Sequence, residues 1–156
     1  MSILLCLKIY NLIKIMISKE KVNKFIQSQQ SIQSYKKARE AFYDVLIHMS
    51  EEEYEQATDN LIVMALHEWV LWQLMHFPNN TKWFKVMQLT IPNWVPIEVL
   101  RFVIAHEIWH IMQWRNWEEW DWDEFERWPD KFAKRIGFPR TEQIAEYINS
   151  YWNNPE

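Results

Sequence analysis

The sequence predicts a mainly α-helical chain with at most a small β-sheet or hairpin, an α+β fold, and two observations drive that expectation. The first is glycine: Gly137 is the only one in 156 residues, where ordinary usage is about 7%. Glycine provides the positive φ angles on which tight hairpins depend, and helices need few of them. The second is periodicity. Apolar residues recur at helical spacing through most of the chain, and only residues 83–91 alternate as a strand does. The same glycine count excludes a P-loop and a G-x-G-x-x-G turn, each of which needs at least two. With 49% hydrophobic residues, a chain of this length can enclose one core.

Residues 1–18 read as an apolar, amphipathic N-terminal segment. Between 3 and 17 only Lys8, Asn11 and Lys14 are polar, one stripe at every third position, as on a helix that docks or lies at an interface. The run is shorter than the ~20 apolar residues of a membrane span, and the basic start and small-residue cleavage site of a signal peptide are missing. We expect weak contact with a membrane or partner through residues 3–17, a cytoplasmic location, and one domain over 19–156.

Within that domain, residues 19–49 read as one long helix. Val22, Phe25, Ile26, Ile32, Tyr35, Ala38, Phe42, Val45, Leu46 and Met49 share a stripe, weakened by a Gln/Ser-rich patch at 27–34. Ser50 with Glu53 forms a capping-box pair, opening a second helix through about Phe77, which Pro78-Asn79-Asn80 stops. WFKVMQLTI at 83–91 is a short strand ended by Pro92. Pro96 suits the first position of a third helix running to about Trp114. After a polar, Trp-rich connection, a helix runs from about Glu126 to Ile136, closed by Gly137 and Pro139. A last helix begins at Thr141.

Net charge is −4, and residues 111–156 account for it with six basic against ten acidic groups. Nothing resembles the basic stripe of a nucleic-acid binder, so no nucleic-acid partner is expected. Cys6 is the only cysteine. That excludes an intrachain disulfide, a cysteine-based zinc finger and an iron–sulfur cluster, and suits a reducing compartment.

The chemistry concentrates in RFVIAHEIWHIMQW, which holds His106-Glu107-Ile108-Trp109-His110. Two histidines four apart on a helix point the same way and can offer two imidazole nitrogens to one metal ion. Glu107 lies beside that face, placed to take a proton from a bound water. A zinc site with an open position needs a third protein ligand. No histidine follows His110, so an acid must serve, from among Glu118, Glu119, Asp121, Asp123, Glu124, Glu126 and Asp130.

Glu126-Arg-Trp-Pro-Asp130-Lys-Phe132-Ala133 resembles the E-x-x-A-D-x-F-A segment that follows H-E-x-x-H in gluzincin-type zinc metallopeptidases. The resemblance covers roughly residues 99–139. It implies a minimal zincin-like domain with Zn2+ held by His106, His110 and Glu126, and with Glu107 as general base. Asp130 would accept a hydrogen bond from a ligand histidine and fix its tautomer. It implies a hydrolase acting on a peptide or protein substrate through a metal-bound water, with Tyr147, Tyr151, Arg127 and His67 as candidate oxyanion donors and the 83–91 strand offering an edge to an extended peptide. Pro129 stands where the family usually has alanine. Proline inside a helix costs about 3 kcal/mol, so the helix should begin near Glu126 or kink there, and Glu124 is the fallback ligand.

Two other readings compete. His67, in ALHEWVLWQLMHF, could join His106 and His110 in a three-histidine helical bundle that resembles the DinB-like family, although three prolines lie between His67 and His106. Alternatively the chain is a non-enzymatic, Trp-rich interaction protein with a structural or vestigial metal site. Trp109, Trp114, Trp117, Trp120, Trp122 and Trp128 would then form a partner surface, tryptophan being a favoured interface anchor, although burial of most of them is the expectation. Met64, Met75, Met87 and Met112 read as core filler.

Overall fold

The computed structural model describes residues 17–66, 72–78, 83–90, 94–113 and 122–153. The apolar 3–17 segment lies outside them except for Ile17, which is buried in the core. Helix α1 spans Lys19–Ser28, with the Ser18 hydroxyl accepting from the Lys21 amide at its start. A single 3-10 turn follows at Gln30–Ile32, and α2 spans Lys36–Ile47. The one long helix expected over 19–49 is therefore broken, at its Gln/Ser-rich patch. The broken segment brings Gln29 and Ser31 against the next part of the chain, where they bond to a strand.

Helix α3 spans Glu51–Thr58 and begins with the expected capping box. The Ser50 hydroxyl accepts from the Glu53 amide at 3.3 Å, and the Glu53 carboxylate accepts from the Ser50 amide at 2.8 Å. The helix does not reach Phe77. It ends at Asp59-Asn60, where Asn60 takes a left-handed φ of 56°, a conformation that asparagine tolerates better than most residues. The chain leaves as strand β1, Leu61–Leu66, followed by β2, Trp72–Pro78, and β3, Trp83–Thr90. The apolar run LIVMAL at 61–66 carries no periodicity that separates helix from strand, and here pairing with β3 decides in favour of strand.

The sheet order is β1-β3-β2. β1 runs parallel to β3, from Leu61 opposite Lys85 to Leu66 opposite Thr90. β2 runs antiparallel to β3, from Trp72 opposite Leu89 to Pro78 opposite Trp83. The strand expected at 83–91 is present, but it is the central one and has no free edge. The outer edge of β1 is occupied by side chains. Gln29 accepts from the Val63 amide at 2.8 Å and donates to the Leu61 carbonyl at 3.3 Å, and the Ser31 hydroxyl accepts from the Ala65 amide at 2.8 Å. These contacts replace a fourth strand. Leu61, Val63, Met87 and Leu89 turn into the core, while Ile62 and Met64 are exposed. Met64 is thus not core filler, whereas Met87 is.

Helix α4, Ile97–Gln113, is the centre of the fold. Every residue from Phe102 to Ile111 is buried, as a helix apolar on nearly all sides must be. Ile104, Ile108 and Ile111 join Phe42, Val45 and Leu46 of α2 in one core. Arg101, its one basic residue before the histidines, turns to α2 and donates to Asp44 at 2.5 and 2.8 Å.

Helix α5 spans Trp122–Arg135, one turn earlier than expected, with Pro129 inside it. It neither begins at Glu126 nor stops at the proline. Pro129 is buried, and Phe132, Ala133 and Ile136 anchor this segment in the core, which offsets the missing backbone bond. Gly137 ends it as expected, with φ +99°. The Phe138 amide reaches back to the Ala133 carbonyl at 2.8 Å and the Gly137 amide to Lys134 at 3.2 Å, the paired bonds of a Schellman turn. Helix α6 spans Glu142–Asn153, capped by the Thr141 hydroxyl on the Ile144 amide. Among the described residues, the chain is mainly helical with one small sheet, and no helix is long and apolar enough to cross a membrane.

Candidate metal centre

Four residues on an α-helix make slightly more than one turn, so His106 and His110 project from the same face of α4. Their Nε2 atoms approach to 3.2 Å, and both residues are buried, 9% and 7% exposed. The rings are wedged by aromatic neighbours: Phe102 lies 5.6 Å from His106, and Trp109 stands edge-on to His110 at 5.6 Å. α5 packs against this face and brings two carboxylates one turn apart. Glu126 Oε2 lies 3.2 Å from His106 Nε2, and its Oε1 lies 3.8 Å from His110 Nε2. Asp130 Oδ1 lies 2.9 Å from His106 Nδ1. A neutral imidazole that donates from Nδ1 carries its lone pair on Nε2, the nitrogen facing His110 and Glu126.

The electrostatics of these groups are set by burial and by one another. Burial opposes charge on His106, but hydrogen bonds to Asp130 and Glu126, with the Glu107 charge behind them, raise its pKa to about 9. Burial and the charge on His106 push His110 well down. Hydrogen bonding to His106 holds Glu126 below the ordinary carboxylate range. Asp130 is also lowered: burial works against the charge, and His106 and then Arg140 outweigh it. Glu107, 5% exposed, is pushed up to about 7 by burial, with His106 opposing and Glu126 adding.

His106, Glu107 and His110 bring potential ligand atoms within 4.8 Å of one another, a buried group that could bind a metal ion. Glu126 adds an oxygen near both ring nitrogens. Tetrahedral bonds of 2.0–2.1 Å place neighbouring ligand atoms about 3.3 Å apart. His106 Nε2 keeps 3.2 Å from both His110 Nε2 and the nearer Glu126 oxygen, close to that spacing, while His110 Nε2 and Glu126 Oε1 are 3.8 Å apart. With the His106 ring deprotonated, the Glu126 carboxylate and the two ring nitrogens would offer three donors to one cation.

No family model, curated protein or solved structure matches this chain. The meaning of the cluster therefore comes from its own geometry.

The five residues that the gluzincin resemblance assigns, His106, Glu107, His110, Glu126 and Asp130, lie together, while Glu118, Glu119, Asp121 and the side chain of Asp123 lie outside the described residues. Pro129 does not turn Glu126 away from the histidines. The side chain of the fallback ligand, Glu124, lies outside the described residues, as do His67 and the side chain of Tyr151. The strands on either side of His67 replace the long helix that a three-histidine bundle requires. Of the other oxyanion candidates, Arg127 is exposed on α5 and Tyr147 is half-buried against the core. Of the six clustered tryptophans, Trp109 is buried and Trp128 is 38% exposed. The side chains of Trp114, Trp117, Trp120 and Trp122 lie outside the described residues. Sequence reasoning missed Arg140, whose Nη1 lies 3.5 Å from Asp130 Oδ2. The available signal was the Gly137 stop, which sends the chain back toward the end of α5 that it has just left.

Proposed function

We propose that the chain is a zinc-dependent metallopeptidase, with His106, His110 and Glu126 holding the ion and Glu107 serving as general base. The observation that carries this reading is the convergence of His106 Nε2, His110 Nε2 and the Glu126 carboxylate at 3.2–3.8 Å. Two imidazoles and one carboxylate form a donor set suited to catalytic zinc, which keeps a fourth position open. Zinc bound there supplies Lewis-acid polarisation of a carbonyl and activation of a water.

The chain's own residues do the rest. Asp130 keeps the His106 ring oriented through Nδ1. Glu107, buried beside the first histidine, takes the proton of the attacking water and passes it to the leaving amine. The aromatic walls of Phe102 and Trp109 exclude bulk water from the rings. A peptide substrate finds a second feature in the sheet. Strand β2 is at its edge, where an extended chain can pair with the backbone. The edge of β1 is taken by Gln29 and Ser31, so β2 rather than β3 is the docking strand in this reading.

The test is metal analysis of the purified chain together with hydrolysis of a mixed peptide library, for wild type, Glu107→Gln and His110→Ala. The expected result is one zinc per wild-type chain. Glu107→Gln should keep the zinc and lose about 100-fold or more of the hydrolysis rate, and His110→Ala should lose both. Wild-type protein that binds no zinc, or a Glu107→Gln variant that still cleaves at the full rate, would overturn the assignment.

A further inference from the structure

We propose that Arg140 is a positioning residue of the metal centre: it holds one oxygen of Asp130 so that the other keeps His106 aimed at the ion. This role rests on the metal site proposed above and not on peptidase activity.

The contacts run in one line. Arg140 Nη1 lies 3.5 Å from Asp130 Oδ2, Asp130 Oδ1 lies 2.9 Å from His106 Nδ1, and His106 Nε2 faces His110 and Glu126 at 3.2 Å. A carboxylate held through one oxygen can still rotate about its final bond, which is a soft torsion. A donor on the second oxygen sets the plane of the group. That constraint matters at this position because Pro129, the preceding residue, removes a backbone hydrogen bond from the turn that carries Asp130.

The fold delivers Arg140 to this place from its own backbone. The Schellman bonds of Ala133 and Lys134 fix the chain up to Phe138, and Phe138 packs against the core. The Thr141 cap fixes it again one residue beyond Arg140. The guanidinium is therefore presented from a short, doubly anchored segment, although its side chain is 42% exposed.

The experiment measures zinc affinity by competition with a chromophoric chelator, and the visible absorption of the cobalt-substituted protein, in wild type, Arg140→Met, Arg140→Lys, Asp130→Asn and the Asp130→Asn/Arg140→Met double variant. Asp130→Asn should weaken zinc binding about 10- to 100-fold. Arg140→Met should weaken it about two- to fivefold, the range of an exposed ion pair, and shift the cobalt bands, while Arg140→Lys recovers most of the affinity. The decisive comparison is the double variant, which should bind no more weakly than Asp130→Asn alone. If Arg140→Met weakens the Asp130→Asn protein by the same factor as wild type, or weakens neither, Arg140 does not act through Asp130 and the proposal falls while the metal centre stands. If wild type binds neither zinc nor cobalt, both fall together. Circular dichroism of each metal-free variant separates these outcomes from a loss of fold.

Discussion

Among the described residues, two polar clusters, one around the buried Gln29 and one around the buried His106 and His110, are built on opposite principles. At the edge of β1, Gln29 and Ser31 meet backbone groups one for one: an amide oxygen takes the Val63 N–H, an amide nitrogen meets the Leu61 carbonyl, and a hydroxyl takes the Ala65 N–H. Each of these three backbone groups has its own side-chain partner, and no charge is involved. At the α4–α5 contact, two imidazole nitrogens and a carboxylate point at one another. There a raised pKa leaves the proton on His106, which shares it with Asp130 and Glu126 in the metal-free chain, and a metal ion could take that proton's place. Polar groups paired one for one serve architecture, and ionisable groups that perturb one another mark a candidate site.

The largest effect separating the two should come from zinc itself. At a free concentration about a thousand times its Kd, an ion that binds only the folded chain adds about 4 kcal/mol of stability, and a chelator removes it. Thermal unfolding with and without zinc measures this, and an unchanged midpoint would erase the contrast. The pH dependence sharpens it. In the metal-free chain the His106 pKa is raised from 6.5 to about 9, so its contribution is complete below 6.5 and is lost as pH rises through 9. Zinc must displace that proton, so zinc affinity should increase over the same interval, with proton release on binding detectable in a weakly buffered solution.

The next effect belongs to the closed cluster. Gln29→Ala leaves the Val63 amide and the Leu61 carbonyl without their side-chain partner. We expect a loss of about 2 kcal/mol by urea unfolding, with zinc affinity unchanged. A coupled loss of zinc would show that the two clusters are not independent.

A smaller effect tests the capping box that joins α3 to α5. Glu53 caps α3 and pairs with Arg135. Burial raises its pKa, but the Ser50 bonds and then Arg135 outweigh it and leave it lowered. Its contribution is present above the ordinary carboxylate pKa and is lost as pH falls through the lowered value. Glu53→Gln should cost about 1 kcal/mol at pH 7, and the difference from wild type should vanish in acid. Smallest of all, Ile62→Thr on the exposed side of β1 should change stability by less than about 0.5 kcal/mol and leave zinc binding alone.

The candidate site was more legible in the sequence than the fold around it. The spacing His106-x-x-x-His110 fixes a shared helix face, and the Glu126–Asp130 interval places two carboxylates one turn apart on a second helix. Both are local geometry, and both hold. The same is true of the Ser50–Glu53 cap, the Gly137 stop and the Thr141 cap. Residues 61–66 and 72–78 form strands where the sequence predicts helix, because an apolar run such as LIVMAL is compatible with either structure and the pairing with β3 that settles it is not local. The Gln/Ser patch at 27–34 carries a clear weakness in helical pattern, but no local rule says that Gln29 and Ser31 will cover a strand edge more than thirty residues away. The helix start expected near Glu126 gives way for a similar reason: packing of Phe132, Ala133 and Ile136 carries α5 through Pro129. Arg140 had no motif at all, since its role depends on where the Gly137 turn sends the chain.

His110 and Glu126 lie on successive helices, sixteen residues apart in sequence. An ion held by both closes the intervening chain into a loop, as a disulfide would. In a chain with a single cysteine that bond cannot form, and a metal cross-link is its reversible counterpart. Unlike a disulfide, an ion that binds only the folded chain leaves the unfolded ensemble unrestrained, so the strength of the link follows the concentration of free ion. Zinc would then act as a staple between α4 and α5 that chelators can open and metal supply can close, tying the mechanical integrity of the domain to the availability of its ion.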